Sequence, residues 1–176
     1  IVFGKTQLST NINSKLVNVV PTDSCSRIET KNEINTMKID YSDDINAYNF
    51  ANYFSSSIRN VIVTQTRTKD PTVEDDRIRT INEELPLVLS FRIGSNTDLT
   101  SNPIKIYYSQ NNKDKSEKLA CLIYNNLDEK LSTIEIKRPI PSSNKLINTN
   151  KKGIGIMVEI GNDKITNNEL FNSKDK

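Results

Sequence analysis

Residues 64–96, TQTRTKDPTVEDDRIRTINEELPLVLSFRIGSN, constrain the fold more than any other part of the chain. Asn60 to Thr66 reads as a strand that runs out into Thr66-Arg67. An acidic turn follows, then a helix over Val73 to Glu84 carrying Arg77 and Asn82, then a buried strand from Leu85 to Arg92. Parallel neighbours in a sheet need a long crossover, usually a helix, so this order predicts a βαβ unit. In such sheets the residue at the C-terminal end of a strand faces the crevice where ligands bind. Here that residue is Arg92.

The flanking sequence extends the pattern. Lys15 to Val20 reads as a short strand stopped by Pro21, and residues 21–42 as a long polar loop, a length that tends to carry function. Asp43 to Arg59 predicts a helix, with Ser42 as N-cap and Asp43 and Asp44 in the first turn. Its stripe of Ile45, Tyr48, Phe50, Ala51, Phe54 and Ile58 is expected to face a core. After a polar loop over Gly94 to Pro103, Ile104 to Ser109 alternates as a strand and Lys113 to Lys130 is amphipathic. Thr133 to Lys137 alternates as another strand, and Pro139 to Asn150 looks irregular. Gly153 to Ile160 is apolar enough for a central strand covered on both faces, and Thr166 to Phe171 reads as a closing helix. The fold class expected is α/β: one domain over residues 15–176, behind an arm at 1–14, with a mostly parallel sheet of about six strands and helices on both faces.

Composition removes several classes of function. There is no histidine, which excludes histidine acid–base catalysis, the usual serine triad and histidine-ligated zinc. A net charge of +2 from 24 basic and 22 acidic residues, well mixed, gives no basic footprint for nucleic acid. No apolar run approaches the ~20 residues of a membrane span, and no signal peptide is visible. The first residue is Ile1 rather than methionine, so a processed protein or an excised domain is expected. Cys25 and Cys121 have no metal-ligand or redox spacing. Cys121 fits a small core residue in its helix, and a disulfide to Cys25 stays open, since spacing cannot fix its geometry.

Glu159 is the charged residue out of place, inside the most apolar strand. A carboxylate there is costly unless paired, hydrogen-bonded or metal-bound. It is either a site residue at a strand end or a strand-end glutamate facing solvent.

Several short patterns now occur in a telling order. Thr66-Arg67-Thr68-Lys69-Asp70 reads T-R-x-x-D, Arg77 and Asn82 read R-x-x-x-x-N, and Ser90-Phe91-Arg92 ends a strand. Ser116 to Ala120 reads SEKLA, and Met157-Val158-Glu159-Ile160-Gly161 reads M-V-E-I-G, with Asn167, Glu169 and Leu170 beyond it. Over residues 15 to 172 this series resembles the zinc-dependent N-acetylmuramoyl-L-alanine amidases of the amidase-3 family, which are cell-wall hydrolases. Their motifs run D-P-G-H-G, T-R-x-x-D, R-x-x-x-x-N, S-I-H-x-N and L-V-E-x-G-F.

The resemblance implies a zinc held by a histidine from the first loop, a glutamate before the first helix and a histidine after the third strand. A late-strand glutamate is then the base toward zinc-bound water. This sequence departs at each ligand. Asp23 falls at the first histidine position, Ser42 near the glutamate, and Arg92 at the second histidine, so that of the four only the base, Glu159, remains. A guanidinium offers no lone pair and stays charged. Arg92 is therefore expected to fill the vacated zinc position and to pair with Glu159, Asp23 or both.

The resemblance thus implies a degenerate amidase: no cofactor, the zinc lost, and a remnant site of Glu159, Arg92, Asp23 and Ser42. Ligand contacts are expected from Asp23, Arg92, Ser95, Asn96 and Glu159. The partner implied is peptidoglycan, or a protein of an extracytoplasmic cell or spore envelope; the Asn/Lys/Ile bias suits a low-GC Gram-positive source. The alternatives are an active amidase with an altered metal site, and a generic α/β interaction domain. No nucleophile elbow, P-loop or glycine-rich dinucleotide turn points to other chemistry.

Overall fold

The strand that opens the described sheet lies where a loop was expected. A computed structural model describes Cys25 and residues 34–67, 73–81, 86–94, 103–131 and 134–161. Thr36–Tyr41 is a strand, β1, inside the stretch 21–42. Its residues alternate: Met37, Ile39 and Tyr41 enter the main core, while Lys38 and Asp40 face the other way. The expected strand at 15–20 and helix at 166–171 lie outside the described residues.

β1 leads into helix α1, Ile45–Ser57. Its cap is Asp44, whose side chain accepts from the amides of Asn46 (2.7 Å) and Ala47 (3.4 Å). Ser42 therefore does not cap the helix; it still follows the ladder, its amide donating to Phe91 O at 3.0 Å. α1 buries Ala47, Ala51 and Phe54. Phe50 and Phe54 both meet the Phe91 ring edge-on, with centroids 4.8 and 5.3 Å away. The buried Phe54 and Phe91 rings each contribute about 1.5–3 kcal/mol and the half-buried Phe50 less, which fixes α1 on the sheet.

The βαβ unit is present. β2 is Ile62–Gln65, α2 is Glu74–Arg79 and β3 is Leu87–Ile93. Next come β4 (Ile104–Ser109) and α3 (Lys113–Lys130), at the bounds their periodicity predicts. Of the expected strand at 133–137, the described residues 134–137 form a single bridge, Ile136 to Ile104. Strand pairing resumes in the stretch read as irregular, as β5, Ile140–Ser142. β5 is an edge strand, where Pro141 is tolerated because it owes no ladder amide. A short helix α4, Lys145–Asn148, then precedes β6, Ile154–Ile160.

The six strands run in the order β2-β1-β3-β6-β4-β5. β2, β1, β3 and β6 are mutually parallel, and β4 pairs antiparallel with β6. Helices cover both faces. α1 and α3 enclose the larger core with Ile39, Leu89, Phe91, Ile106 and Ile156. The other face carries a smaller cluster, Ile81, Val88, Leu146, Ile147 and Met157, contributed in part by α4. α4 lies directly on β6: a Cβ at Gly155 would stand 2.1 Å from Ile147 O. The smaller cluster ends short of the strand C-termini, and polar residues take over there.

Cys25 is bonded to Cys121 on α3, with Cα atoms 5.1 Å apart. Asn125, one turn further along α3, donates to Cys25 O at 2.8 Å. Cys121 is half-buried rather than a closed core thiol, so the packing expectation gives way to the covalent one.

Candidate functional site

The face that carries the smaller cluster turns polar at the C-terminal ends of β1, β3 and β6. The inner layer is built on Asp40, which is fully buried. A buried carboxylate needs donors to replace water. Asp40 has three: Thr66 Oγ1 at 2.7 Å, Arg77 Nε at 2.9 Å and Ser90 Oγ at 2.9 Å. Asp40 and Ser90 are register partners on β1 and β3, Thr66 follows β2, and Arg77 reaches in from α2. The Thr66 and Arg77 positions that resemble amidase motifs thus hold β1, β2, β3 and α2 together. Asp70 and Asn82 of the same motifs lie outside the described residues.

Arg67 shapes the turn after β1. Its Nη2 donates to Tyr41 O at 2.9 Å, its Nη1 bonds Asp43, and its guanidinium lies 4.5 Å over the Tyr41 ring. The Tyr41 hydroxyl in turn donates to Arg67 O at 3.2 Å. Burial raises the Tyr41 pKa, and the Arg67 charge partly opposes this. The turn that delivers Ser42 is therefore tied from two sides.

The outer layer is a row across four strands. Arg92 on β3 is in register with Glu159 on β6, and Glu159 with Lys105 on β4. Tyr41 is in register with Phe91, so one residue further on Ser42 continues the row beside Arg92. Residues in register share a sheet face. The row Ser42–Arg92–Glu159–Lys105 thus lies along the mouth of the crevice. Gly94 and Gly161 close the two central strands just beyond it: a Cβ at Gly94 would lie 2.0 Å from Gly161 O, and Gly161 has φ 51°.

The ion pairs differ from the expectation. Arg92 bonds Glu74 of α2, Nη2 to Oε2 at 3.3 Å, and Glu159 bonds Lys105, Oε1 to Nζ at 2.9 Å. In-register placement lays Arg92 beside Glu159, but α2 offers a carboxylate from above, and Lys105 reaches Glu159 from β4. The hydrogen bond to Glu159 holds the Lys105 pKa above its ordinary value against the opposing effect of burial. Burial first, then the Glu159 charge, raise that of Tyr107. The Arg92 and Glu74 side chains are 23% and 39% exposed, and a single 3.3 Å contact at that exposure is worth about 0–1 kcal/mol. Ser42 Oγ and Arg92 Nε are buried and have no hydrogen-bond partner among the described residues.

Of the predicted site residues, the structure brings Ser42, Arg92 and Glu159 into one row. Asp23, Ser95 and Asn96 lie outside the described residues. The strand that enters α1 ends at Tyr41, so Ser42 and Asp43 follow it directly. Lys105 and Glu74 were not anticipated. Lys105 is legible only once the antiparallel pairing of β4 on β6 is known. Zinc requires three neutral or anionic N, O or S donors. The described crevice mouth holds two carboxylates, Glu74 and Glu159, each already paired with a cation, which does not fit that ion, and among the described residues no three His, Cys, Asp or Glu converge. No helix among the described residues is long and apolar enough to cross a membrane.

No protein-family profile matches the chain, and no curated protein sequence does. Among solved structures, the catalytic domain of CwlV, an N-acetylmuramoyl-L-alanine amidase from Bacillus (Paenibacillus) polymyxa var. colistinus, superposes with a TM-score of 0.56. Identity is 16%, over 73% of this chain and 81% of that chain. The chain therefore has the fold of an amidase catalytic domain.

Proposed function

We propose that this domain is a degenerate amidase that binds rather than cuts: a metal-free module for peptidoglycan, or for a protein partner, in an extracytoplasmic bacterial envelope. The observation that carries this reading is the pair of ion pairs at the crevice mouth, Arg92–Glu74 and Lys105–Glu159. A hydrolytic base needs a free lone pair aimed at its water. Glu159, the only remnant of the zinc amidase set, instead spends an oxygen on an ammonium. Arg92 adds a fixed charge where a metal ligand would stand, and that charge would repel a cation. The amidase fold supports peptidoglycan as the ligand class. The Cys25–Cys121 disulfide supports a site of action outside the reducing cytosol.

Three measurements on purified protein test the reading. Atomic spectroscopy should find no stoichiometric zinc. Peptidoglycan incubated with the protein should release no stem peptides. Insoluble cell walls should co-sediment the protein. One zinc per chain together with turnover would establish the competing reading, an active amidase with an altered metal site. Failure to sediment with walls, with zinc and turnover still absent, would transfer the role to a protein partner.

A further inference from the structure

We infer that Ser42 and Arg92 form a receptor for one carboxylate, and that the ligand enters by displacing Glu74 from the Arg92 guanidinium. The inference rests on the binding reading above and names what the crevice recognises: a peptide's free carboxylate group.

Three observations converge. First, two hydrogen-bonding groups on neighbouring strands of the row stand without a partner among the described residues, Ser42 just past β1 and Arg92 on β3. Ser42 Oγ and Arg92 Nε are both buried and both lack partners among the described residues, and unmet buried polar atoms are rare because each is costly. Both can donate, so what would satisfy them together is an acceptor with at least two lone pairs. Second, the bond that now occupies Arg92 is easily displaced. The guanidinium carries five N–H donors, of which one is spent, at 3.3 Å, on Glu74, the more exposed member of the pair. A carboxylate docked on the guanidinium edge makes two parallel bonds, which is stronger and more selective. Third, the local charge suits a single negative group. With Glu74 swung outward, Arg92 and Lys105 are balanced within the described row by Glu159 alone, leaving one positive charge of that row uncompensated. A monoanionic carboxylate restores neutrality, whereas a phosphate dianion would overshoot beside Glu159. Lys105 stays on Glu159 and keeps that carboxylate from repelling the incoming one.

The test is an NMR titration of the intact chain, following backbone amides and the Arg92 Nε–H. The probes are an N-acetylated dipeptide with a free C-terminal carboxylate and the same dipeptide as its C-terminal amide. The acid should shift the Ser42 and Arg92 signals saturably, and the amide should bind at least about 10-fold more weakly. Arg92→Gln should abolish the effect, and Ser42→Ala should weaken it severalfold while leaving the ion pairs intact. Glu74→Gln removes the internal competitor from an exposed position and should tighten binding, which a purely structural Arg92–Glu74 pair would not do. Equal binding of acid and amide, an unchanged affinity in Glu74→Gln, or no saturable shift by about 10 mM would each overturn the inference. Cell walls that sediment wild type and Arg92→Gln alike would remove this inference and leave the wall-binding reading standing. Dipeptide binding without wall sedimentation would do the reverse.

Discussion

Lys105 Nζ lies 2.9 Å from Glu159 Oε1, and the two residues face each other in register across β4 and β6. Glu159 thus sits in an apolar strand at the cost of recruiting a cation from the one strand in its neighbourhood that runs the other way. Removing that cation strands a half-buried carboxylate. Exposures of 34% and 22% place the pair between a surface bridge and a buried one, so Lys105→Met should cost about 1–2 kcal/mol in urea unfolding. Lys105→Met combined with Glu159→Leu should recover most of the loss, since no charge is then left unpaired. The pH dependence follows from the raised lysine pKa. The pair's contribution is complete below the ordinary lysine value of 10.5 and is lost as pH climbs through the higher folded-state value. Equal alkaline sensitivity in wild type and the double variant would show that Lys105 contributes nothing there.

Beneath that row, Asp40 and Arg77 make a closed ion pair, with side chains 0% and 5% exposed. Such a pair resists loss of one member far more than loss of both. Arg77→Leu should destabilise the domain by about 3–5 kcal/mol, because it leaves the buried Asp40 carboxyl without its cationic partner. Ser90→Ala removes a neutral donor and should cost about 1–2 kcal/mol. Chemical denaturation of the two single variants and their combination should show coupling, since both bonds end on the same carboxylate. Strict additivity would contradict a shared hub.

These residues also show what sequence makes legible. The βαβ unit, β4 and α3 follow from periodicity, because their apolar residues recur at the spacing of the face they bury. β6 follows from a continuous apolar run. β1 has the same period-2 signal in Met37, Ile39 and Tyr41, yet Lys38 and Asp40 between them resemble loop polarity. What makes Asp40 acceptable in a strand is its three donors, which come from positions 26, 37 and 50 residues away. Spacing cannot reveal such a hub, although the Thr66 and Arg77 patterns mark two of its members. Arg92 lies near the end of its strand, as its place in the sequence implies, but its partner depends on how α2 packs against the sheet. Lys105 required knowing that β4 inserts antiparallel beside β6. Cys25 and Cys121 are 96 residues apart, and only the packed chain shows that they meet.

Tyrosine ionisation offers a spectroscopic check on the α3 side of the sheet. Tyr108 is buried against α3 and donates to Glu117 Oε1 at 3.1 Å. Burial, the Glu117 charge and that hydrogen bond push its pKa up to about 12. Because the folded value exceeds the unfolded value of 10.0, the neutral hydroxyl stabilises the fold fully below pH 10. That contribution fades between about pH 10 and 12, as the unfolded chain ionises first. An absorbance titration of phenolate should show a late component that Tyr108→Phe removes. Glu117→Gln should move the same component to lower pH. A titration complete near pH 10 in wild type would mean that Tyr108 is open to water.

The disulfide makes the last prediction, and it bears on where the domain works. Cys25 is tied to α3 by the S–S bond and by the Asn125 hydrogen bond to its carbonyl. Closing a loop across a sequence separation of 96 removes much of the freedom of the unfolded chain, and a native bridge of that kind typically contributes about 2–5 kcal/mol. Oxidised protein unfolded in denaturant should present no free thiol to a thiol reagent, since no cysteine is unpaired. The Cys25→Ser, Cys121→Ser double variant should melt roughly 5–15 °C lower than wild type, and a reductant should lower the wild-type melting point toward the variant's while leaving the variant unchanged. The same protein produced in a reducing cytosol should match the variant until oxidised. A melting point insensitive to reductant would separate the fold from its redox environment and withdraw the disulfide's support for an extracytoplasmic site of action.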